Sequence, residues 1–519
     1  MLVGLVTIRY SSVKHIRKLD TTKALLRNHN PSDFRFLDPT RKSTDTNMGR
    51  CRTMYYTTLS RLLFAEDNAD ADFWRFVKPW ETTLDQIVLA LQGSGKLSEE
   101  DIRLTLLGVF KDLRGLVTSI SNRKQYNLFH EWFYPAYTPI AFRAIELWSQ
   151  DELAIVILRF WHEFTTNKCS RITFDSSSPD GILLFRETSN ILCTHGQSLL
   201  NRTISNGSER WTGKYKGIML YFNVMSVSLS GKYANFGVFK LYGDKALDHV
   251  LELFFQLMLA VPVDDMVSFP KLARAFFSVI DVFASDHMVG LSMMPESVLT
   301  YIFQTMAEVI PLQSSDATCS SMACSAIDKI CTFVLNWLIK SKIRKAENRD
   351  ADEMLDTTLD DEDLASVSDG PSQHKNSVDL MNSIPLDSKG RLQGQPRTHW
   401  LVDYVLSNKS VMSYLFMILF KAVAFENRSN HWSLSRPLLG LILLNKEFYT
   451  EYTMRFVQAQ LSDRQEQVQK AVDGLMEGVE NNLSASNRDI FTTNTSTFRR
   501  ECSQMTLMTF NPEDTINML

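Results

Sequence analysis

Two stretches of this sequence contain residue types that could carry chemistry, and the first resembles a phosphate-binding loop. It reads Gly93-Ser94-Gly95-Lys96. Leu97 stands where such a loop needs a hydroxyl to hold Mg²⁺, and Ala90 stands where it needs its first glycine. A helix rather than a strand is predicted before it. We therefore interpret the stretch as a turn between helices.

The second stretch holds cysteines without the spacing of a metal site. Cys324 and Cys331 lie seven residues apart and share a helix face, and Cys319 lies upstream. No CxxC or HExxH pattern accompanies them, and zinc needs three or four converging ligands, so they are predicted to be core thiols. The isolated histidines, for which structural roles are predicted, are His162 (beside Glu163), His287 and His431. With no GxSxG motif either, the sequence predicts no catalytic, cofactor or metal site, and not an enzyme.

Basic residues on otherwise apolar helices are the stronger candidates for function. A helical face lined by them can hold a large, partly acidic protein partner through many weak contacts. The alternative is that each is a solvated side chain or pairs with a neighbouring acid, as in Lys111-Asp112 and Arg186-Glu187. The candidate protein-binding residues are Arg50, Arg52, Arg61, Lys111, Arg114, Arg143, Arg186, Lys240 and Arg274.

These residues belong to a long series of amphipathic helices, organised around the one that follows the loop 235–243. Asp244 is predicted to cap it. Its apolar residues form one wide face of an α-helix. They are Leu247, Val250, Leu251, Phe254, Phe255 and Met258. Burying six such side chains is worth about 9–18 kcal/mol, whereas ordering the backbone of such a helix costs about 16–32 kcal/mol. The helix therefore needs neighbours to cover it.

Helical signals recur from end to end, with pairs repeating about every 40 residues, which is the period of HEAT-like α-solenoids. The predicted fold is all-α, a HEAT-like superhelix of antiparallel helix pairs, and a set of compact helical bundles is the alternative. The predicted domains are repeats in residues 1–340, a disordered acidic and polar insertion in residues 341–397, repeats in residues 398–505 and a flexible tail in residues 506–519. The first residues are apolar and lack the polar cap of a terminal repeat, which predicts that the sequence starts within the array of repeats.

Charge and composition limit the function classes. The 519 residues carry a net charge of −4, but residues 347–369 hold ten acids and one base (−9), which leaves +5 for the rest. That remainder is far from a nucleic-acid-binding composition. Seven scattered cysteines predict a reducing compartment. The longest apolar runs are shorter than a bilayer requires, so we expect an intracellular protein without membrane insertion.

Several long segments resemble the exportin-7 family of nuclear transport receptors, in the importin-β superfamily. The resemblance runs from about Tyr10 to Glu501 and corresponds to the C-terminal half of the family's members. The segments that carry it are residues 50–53, 111–115, 131–135, 143–148, 178–189, 235–244, 435–445 and 498–501.

The resemblance implies HEAT repeats, export of folded protein cargo bound with Ran-GTP, contacts with FG-repeat nucleoporins, and shuttling between nucleus and cytoplasm. The family's principal Ran contacts lie in N-terminal repeats, which this chain is expected to lack. The alternative function is a helical scaffold or small-GTPase-binding regulator without transport activity.

Overall fold

The computed structural model describes residues 10–38, 48–66, 69–93, 95, 97–175, 177–203, 209–311, 317–346, 400–426, 432–505 and 507. Within these ranges the chain forms helices joined by turns and loops, and no strand. It divides into two compact units, Met1–Leu257 and Met258–Leu519.

The first unit contains twelve helices among its described residues. They are α1 (Tyr10–Lys18), α2 (Asp20–Arg27), α3 (Met48–Leu63), α4 (Asp70–Leu91), α5 (Glu99–Ser119), α6 (Arg123–Phe133), α7 (Thr138–Leu147), α8 (Glu152–Thr165), α9 (Asp180–Leu200), α10 (Lys216–Leu229), α11 (Gly237–Leu241) and α12 (Ala246–Leu259), the last of which ends at the unit boundary.

Helices of the first unit alternate between two layers. One layer consists of α3, α5, α8 and α10, each packed against the next. The intervening helices cover this layer, since α7 packs on α8 and α9, and α9 packs on α10. An arrangement in which helices separated by one or two others in the chain stack on one another is that of HEAT-like repeats. The predicted fold class is therefore confirmed.

Glycine allows α3 and α5 to approach closely. A Cβ on Gly115 would lie 2.5 Å from the carbonyl oxygen of Thr53, and a Cβ on Gly108 would lie 2.8 Å from Nη2 of Arg52. Two helical turns separate the glycines, so both lie on the face of α5 that meets α3. The close approach lets Thr53 Oγ1 donate a hydrogen bond to the carbonyl oxygen of Lys111 at 3.0 Å.

The second unit contains eleven helices among its described residues. They are α13 (Val263–Ser268), α14 (Pro270–Asp286), α15 (Met288–Ser292), α16 (Glu296–Val309), α17 (Ala317–Ala346), α18 (Trp400–Ser407), α19 (Lys409–Phe425), α20 (Trp432–Leu444), α21 (Lys446–Gln458), α22 (Gln465–Leu475) and α23 (Ala485–Gln504).

The layered packing of the second unit joins helices from both sides of residues 347–399. The helices α14, α17, α20 and α23 each pack against the next. A Cβ on Gly440 of α20 would lie 2.6 Å from the Cβ of Cys331 on α17. The predicted insertion falls on residues outside the described ranges, except that α17 extends to Ala346 and so includes its first six residues. The predicted tail also lies outside them, apart from Leu507.

Two helices that the sequence predicts are broken in the structure. Helical periodicity predicts one helix from Thr7 to Asn28, but the described part of it forms the pair α1 and α2, because Leu19 between them is extended (φ −63°, ψ 139°). It also predicts one helix from Thr398 to Phe425, but the described part of it forms the pair α18 and α19, which are bent by 74°. Residues 235–243, predicted as a loop, contain the short helix α11.

The organising helix is α12, and its buried face is slightly rotated from the predicted one. Leu247, Val250, Phe254 and Met258 are fully buried as predicted. Leu251 and Phe255 are only half-buried, whereas Leu257, which was not predicted, has no exposed surface. Asp244 accepts a hydrogen bond from the amide of Ala246 at 2.9 Å, which confirms it as a cap.

One described stretch, Ala317–Ser341 of α17, is long and apolar enough to cross a membrane by length and composition. The bent pair α18 and α19 would meet the same criterion if the two helices formed a single span. Half of the apolar window in α17 is buried inside the protein. Because α17 packs on α14, α16 and α20, it has the surroundings of a core helix.

Candidate protein-binding surface

Five basic side chains from three stacked helices of the first unit form a surface that we call the basic face. It consists of Arg50 and Arg61 on α3, Lys111 and Arg114 on α5, and Arg159 on α8. Arg50 and Arg61 lie eleven residues apart, which is close to three turns and places them on one side of α3. Because α3, α5 and α8 are successive members of one layer, these side chains lie on neighbouring helices.

The positive charges of the basic face lie close enough to perturb one another. Arg159 is half-buried, and burial together with the charges of Arg114 and Arg50 lowers its pKa, while the carboxylate of Glu152 opposes that shift. Like charges held together in this way repel one another and cost free energy.

Four of the five cations form no salt bridge among the described residues, although the charges of Glu152 and Glu163 act on Arg159 and Arg114. Within the described part of the chain, Arg50, Arg61, Arg114 and Arg159 form no salt bridge or side-chain hydrogen bond, and Nε of Arg114 is buried without a hydrogen-bond partner. Lys111 is the exception, because its Nζ lies 3.4 Å from a carboxylate oxygen of Glu152. The face therefore carries a surplus of positive charge that is free to meet an external anion.

Polar groups border the basic face along α8. Burial acts to raise the pKa of Glu163, but the ammonium of Lys168, hydrogen bonded at 3.0 Å, outweighs it and lowers the pKa. Burial lowers the pKa of His162, and Arg114 and Lys168 contribute to that shift while Glu163 opposes it. His162 is therefore neutral at pH 7 and adds no charge to the face.

Arg52, although predicted to bind a partner, is an internal residue. Its Nε and Nη2 donate to the two carboxylate oxygens of Asp112 at 2.8 and 2.6 Å, and its Nη1 donates to the carbonyl oxygen of Leu37 at 2.9 Å. Burial acts to lower the pKa of Arg52, but the contact with Asp112 outweighs burial and raises it. Its guanidinium joins α3 to α5, so we leave Arg52 out of the basic face.

The remaining candidates are not members of the basic face. Arg143 on α7 forms an ion pair with Glu146 one turn away, and Arg186 on α9 lies 3.7 Å from Asp244. Arg274 is exposed on α14 of the second unit. The side chain of Lys240 lies outside the described part of the structure.

Arg159 is the member of the basic face that the sequence prediction missed. It is the only basic residue among the apolar residues of α8 except for His162. The criterion that selected the other arginines, a cation on an otherwise apolar helix, would have found it.

The other residues considered for catalysis or metal binding lie in structural surroundings. Cys319, Cys324 and Cys331 are buried, as predicted, and Gly93 adopts a left-handed φ of 82° in the turn after α4. His287 is also buried, whereas Ser94, Lys96 and His431 lie outside the described residues. Among the described residues, no group of three His, Cys, Asp or Glu side chains could hold a metal ion.

Comparison with known proteins gives matches along almost all of the chain. It is 33% identical over 502 residues to Exportin-7-B of Xenopus laevis and 32% identical over 502 residues to Ran-binding protein 17 of Mus musculus, and each match covers 96% of this chain and 42% of the relative. It is 28% identical over 493 residues to Exportin-7 of Dictyostelium discoideum, covering 95% of this chain and 43% of that protein. No protein-family profile matches the chain.

The chain thus spans about two-fifths of the length of these relatives, corresponding to a C-terminal part of them. The resemblance predicted from the residues is confirmed.

Proposed function

Because the chain is related to exportin-7 and Ran-binding protein 17 along almost its whole length, we propose that it acts in nuclear transport. It forms part of an export receptor that binds folded protein cargo together with Ran-GTP and carries it through the nuclear pore. The observation that carries this proposal is the similarity over 96% of the chain. The stacked helical layers of each unit support it, since such layers offer extended surfaces for protein partners.

The proposal includes the partners and the location that this role requires. Ran-GTP is bound mainly by repeats upstream of this part of the receptor, and FG-repeat nucleoporins are contacted during passage. The protein shuttles between nucleus and cytoplasm. Ran-GTP favours the form of the receptor that holds cargo, with a coupling free energy of about 1–3 kcal/mol between the two sites.

Within this role, the basic face contacts an acidic surface of a protein partner. Arg50 and Arg114 repel Arg159, and none of the three forms a salt bridge within the described structure, so their mutual repulsion opposes the folding of the unit. An external row of carboxylates would offset that repulsion and give salt-dependent, fast association.

The transport proposal is tested with Ran loaded with GTP or GDP. The chain is used alone and as a chimera that carries the upstream part of Exportin-7-B from Xenopus laevis. We expect the chimera to retain Ran-GTP and not Ran-GDP in a pull-down, and to be enriched on FG-repeat resin. Equal retention of both nucleotide states by the chimera would favour a scaffold or regulator without transport activity.

The basic face is tested by neutralising three arginines together in the variant Arg50→Gln/Arg114→Gln/Arg159→Gln. The matched control is Arg123→Gln/Arg143→Gln/Arg186→Gln, which removes three exposed arginines that each have an acidic neighbour. Binding of fluorescent polyglutamate is measured by anisotropy at several salt concentrations. We expect the first variant to bind about tenfold more weakly and with a shallower salt dependence, and the control to bind like the wild type.

The stability of the variants distinguishes a binding role of the basic face from a structural role. Because like charges are removed, we expect the first variant to be as stable as the wild type or more stable by up to about 0.5 kcal/mol. If it loses stability, or if both variants lose polyglutamate binding equally, the basic face is not a dedicated binding surface.

A further inference from the structure

Two cavities in the second unit adjoin each other at Glu296, the first residue of α16, which lines both of them. The larger one, of about 520 Å³, lies between α16 and Leu259 at the end of α12. The smaller one, of about 380 Å³, lies between the start of α16 and α18. Together they form a groove, which we call the acidic groove.

The acidic groove follows one face of each of two helices. Its larger part is lined by every fourth residue of α16 from Glu296 to Gln304, and its smaller part by Trp400, Asp403 and Tyr404 of α18. Such spacings place side chains on one side of a helix. Eight residues of α16 rise by about 12 Å, which is the length of about four residues of extended chain. The groove therefore has the dimensions for a short extended segment.

The acidic groove carries two carboxylates and no cation. Glu296 is exposed and Asp403 is half-buried, so both can be reached from solvent. Neither forms a salt bridge with any residue that the structure describes, and the described residues that line the two cavities include no lysine or arginine. Each acid lies in the first turn of its helix, where the helix dipole favours a carboxylate. The dipole explains an acid at each position, but it leaves the charge of the groove without a counter-ion.

Aromatic rings line the smaller part of the groove. Trp400 is half-buried there. Tyr404, one turn further along α18, stacks on Phe303 with 5.5 Å between the ring centroids and 6° between the ring planes. Burial raises the pKa of Tyr404, a hydrogen bond with Thr300 opposes that shift, and the charge of Glu296 adds to it. The electrostatic effect of Glu296 therefore reaches α18.

We propose that the acidic groove binds an extended, basic segment of a protein partner, with a lysine or arginine side chain that contacts the carboxylates of Glu296 and Asp403 and the ring of Trp400. Carboxylates and the face of an indole ring both attract such a cation. A metal ion does not fit, because the described residues offer no group of three His, Cys, Asp or Glu side chains to hold one. The occupant is opposite in charge to that of the basic face, so this proposal does not depend on the transport proposal.

The probe is a fluorescent peptide of about eight residues in which arginines alternate with glycine and serine. The same peptide with citrulline in place of arginine is the matched probe, since citrulline has the shape of arginine without its charge. Binding is measured on the full chain by anisotropy at several salt concentrations, and thermal melts check that each variant is folded. We expect the wild type to bind the arginine peptide saturably and the citrulline peptide at least about tenfold more weakly.

The double variant Glu296→Gln/Asp403→Asn removes both charges of the groove. The matched control is Glu447→Gln/Glu466→Gln, because these two acids are exposed, lie in the first turns of α21 and α22, and do not line the groove. Both variants lose two charges and two contacts with helix dipoles, and both retain the acidic residues 347–369. We expect the groove variant to bind the arginine peptide at least about fivefold more weakly, and the control to bind it like the wild type.

The variant Trp400→Leu tests the aromatic contact and keeps an apolar side chain at this position. We expect it to bind the arginine peptide about two- to fivefold more weakly, without a change for the citrulline peptide. If this variant does not fold, the charge variants still decide the question, because Gln and Asn keep the size of the acids that they replace.

Residues of this chain just before Trp400 are the competing occupant, because they include Lys389, Arg391 and Arg397. We expect Lys389→Gln/Arg391→Gln/Arg397→Gln to bind the arginine peptide within about twofold of the wild type. Binding that appears or tightens at least about fivefold in this variant would assign the groove to the chain itself and overturn the proposal. The proposal is also overturned if the wild type shows no saturable binding, if it binds both peptides equally, or if the groove variant and its control bind equally.

Discussion

Arg171 shows at the residue scale how a charge can be buried without a carboxylate. Its side chain has no exposed surface. It donates to the carbonyl oxygens of Val117 and Ile120 at the end of α5, both at 2.8 Å, and to that of Thr166 at the end of α8, at 3.0 Å. It also donates to the carbonyl oxygen of Glu163. Helix C-termini carry partial negative charge and unpaired carbonyl groups, so one guanidinium satisfies two helix ends at once.

We expect protonation of His29 to destabilise the first unit at acidic pH. It is 2% exposed, its ring lies 4.3 Å from that of Phe76, and its Nδ1 lies 3.3 Å from the hydroxyl of Tyr56. Burial lowers its pKa to about 4, and backbone hydrogen bonds oppose that shift only partly. Because the unfolded chain binds the proton more tightly, this contribution to stability is complete above about pH 6.5 and is lost as the pH falls toward 4.

We therefore predict that lowering the pH from 6.5 to 5 costs about 2 kcal/mol of stability through His29 alone. The measurement is the thermal midpoint across that range for the wild type, His29→Gln and His15→Gln. His29→Gln should show a shallower loss on acidification, whatever its stability at pH 7. His15, which is exposed on α1, is the control and should leave the slope unchanged. An identical slope in all three proteins would contradict the prediction.

At the scale of the helices, the close contact between α3 and α5 depends on glycines, which have no side chain. Gly108 and Gly115 face α3, and Asp112 between them binds Arg52 of α3 through both carboxylate oxygens. Close packing and the ion pair support each other, since removing either separates the helices or leaves a buried charge unpaired.

We predict that Gly115→Ala destabilises the first unit by about 1–3 kcal/mol, because its Cβ would meet backbone of α3 that cannot move aside. Gly213→Ala is the matched control in the same unit, since its Cβ meets open space. The gain in helix propensity should then stabilise the protein by up to about 1 kcal/mol. Urea unfolding followed by circular dichroism measures both, and a Gly115→Ala variant as stable as Gly213→Ala would disprove the close contact.

Basic residues on the helices of the two units have different surroundings. In the second unit, Lys329 on α17 binds Asp281 on α14 at 2.9 Å, and Arg488 on α23 binds Asp328 on α17 at 3.0 Å. In the first unit, the arginines of the basic face form no such ion pair with any residue that the structure describes. Lys329 and Arg488 therefore join helices as Arg52 does in the first unit, whereas the arginines of the basic face are left for a partner.

At the scale of the whole molecule, the acidic segment interrupts the sequence but not the packing of the second unit. Residues 347–369 carry ten acids and one base. The helices before and after residues 347–399 nevertheless pack directly, α17 against both α18 and α20. Direct contacts between described helices therefore join the two sides of this segment.

We predict that replacing residues 350–396 by a flexible Gly-Ser linker of about 15 residues leaves the fold unchanged. Helical circular dichroism per folded residue and the thermal midpoint should match those of the full chain within error. A second variant, with a stiff Pro-rich linker of the same length, controls for the entropic cost of closing the loop. A fall in the thermal midpoint for both linkers would show that the segment contributes to the folded structure and is not the disordered insertion that its composition predicts.

The local features of this protein are readable from its sequence because they depend on residues close together in the chain. Helical periodicity predicts most of the helices, and short polar residues predict caps such as Ser98, whose Oγ accepts from the amide of Asp101 at 3.1 Å. Breaks such as that at Leu19 were missed, since no proline or glycine marks them.

The roles of the charged residues are decided by the tertiary structure. By sequence alone Arg52 and Arg114 are equivalent cations on apolar helices, yet Arg52 forms an ion pair with Asp112, sixty residues away, and Arg114 forms no salt bridge among the described residues. The sequence by itself determined the all-α repeat fold and the resemblance to exportin-7, because periodicity and long matching segments are properties of the chain. Only the packing of one helix on the next decided which charges are neutralised, because that depends on the register between helices that are distant in sequence.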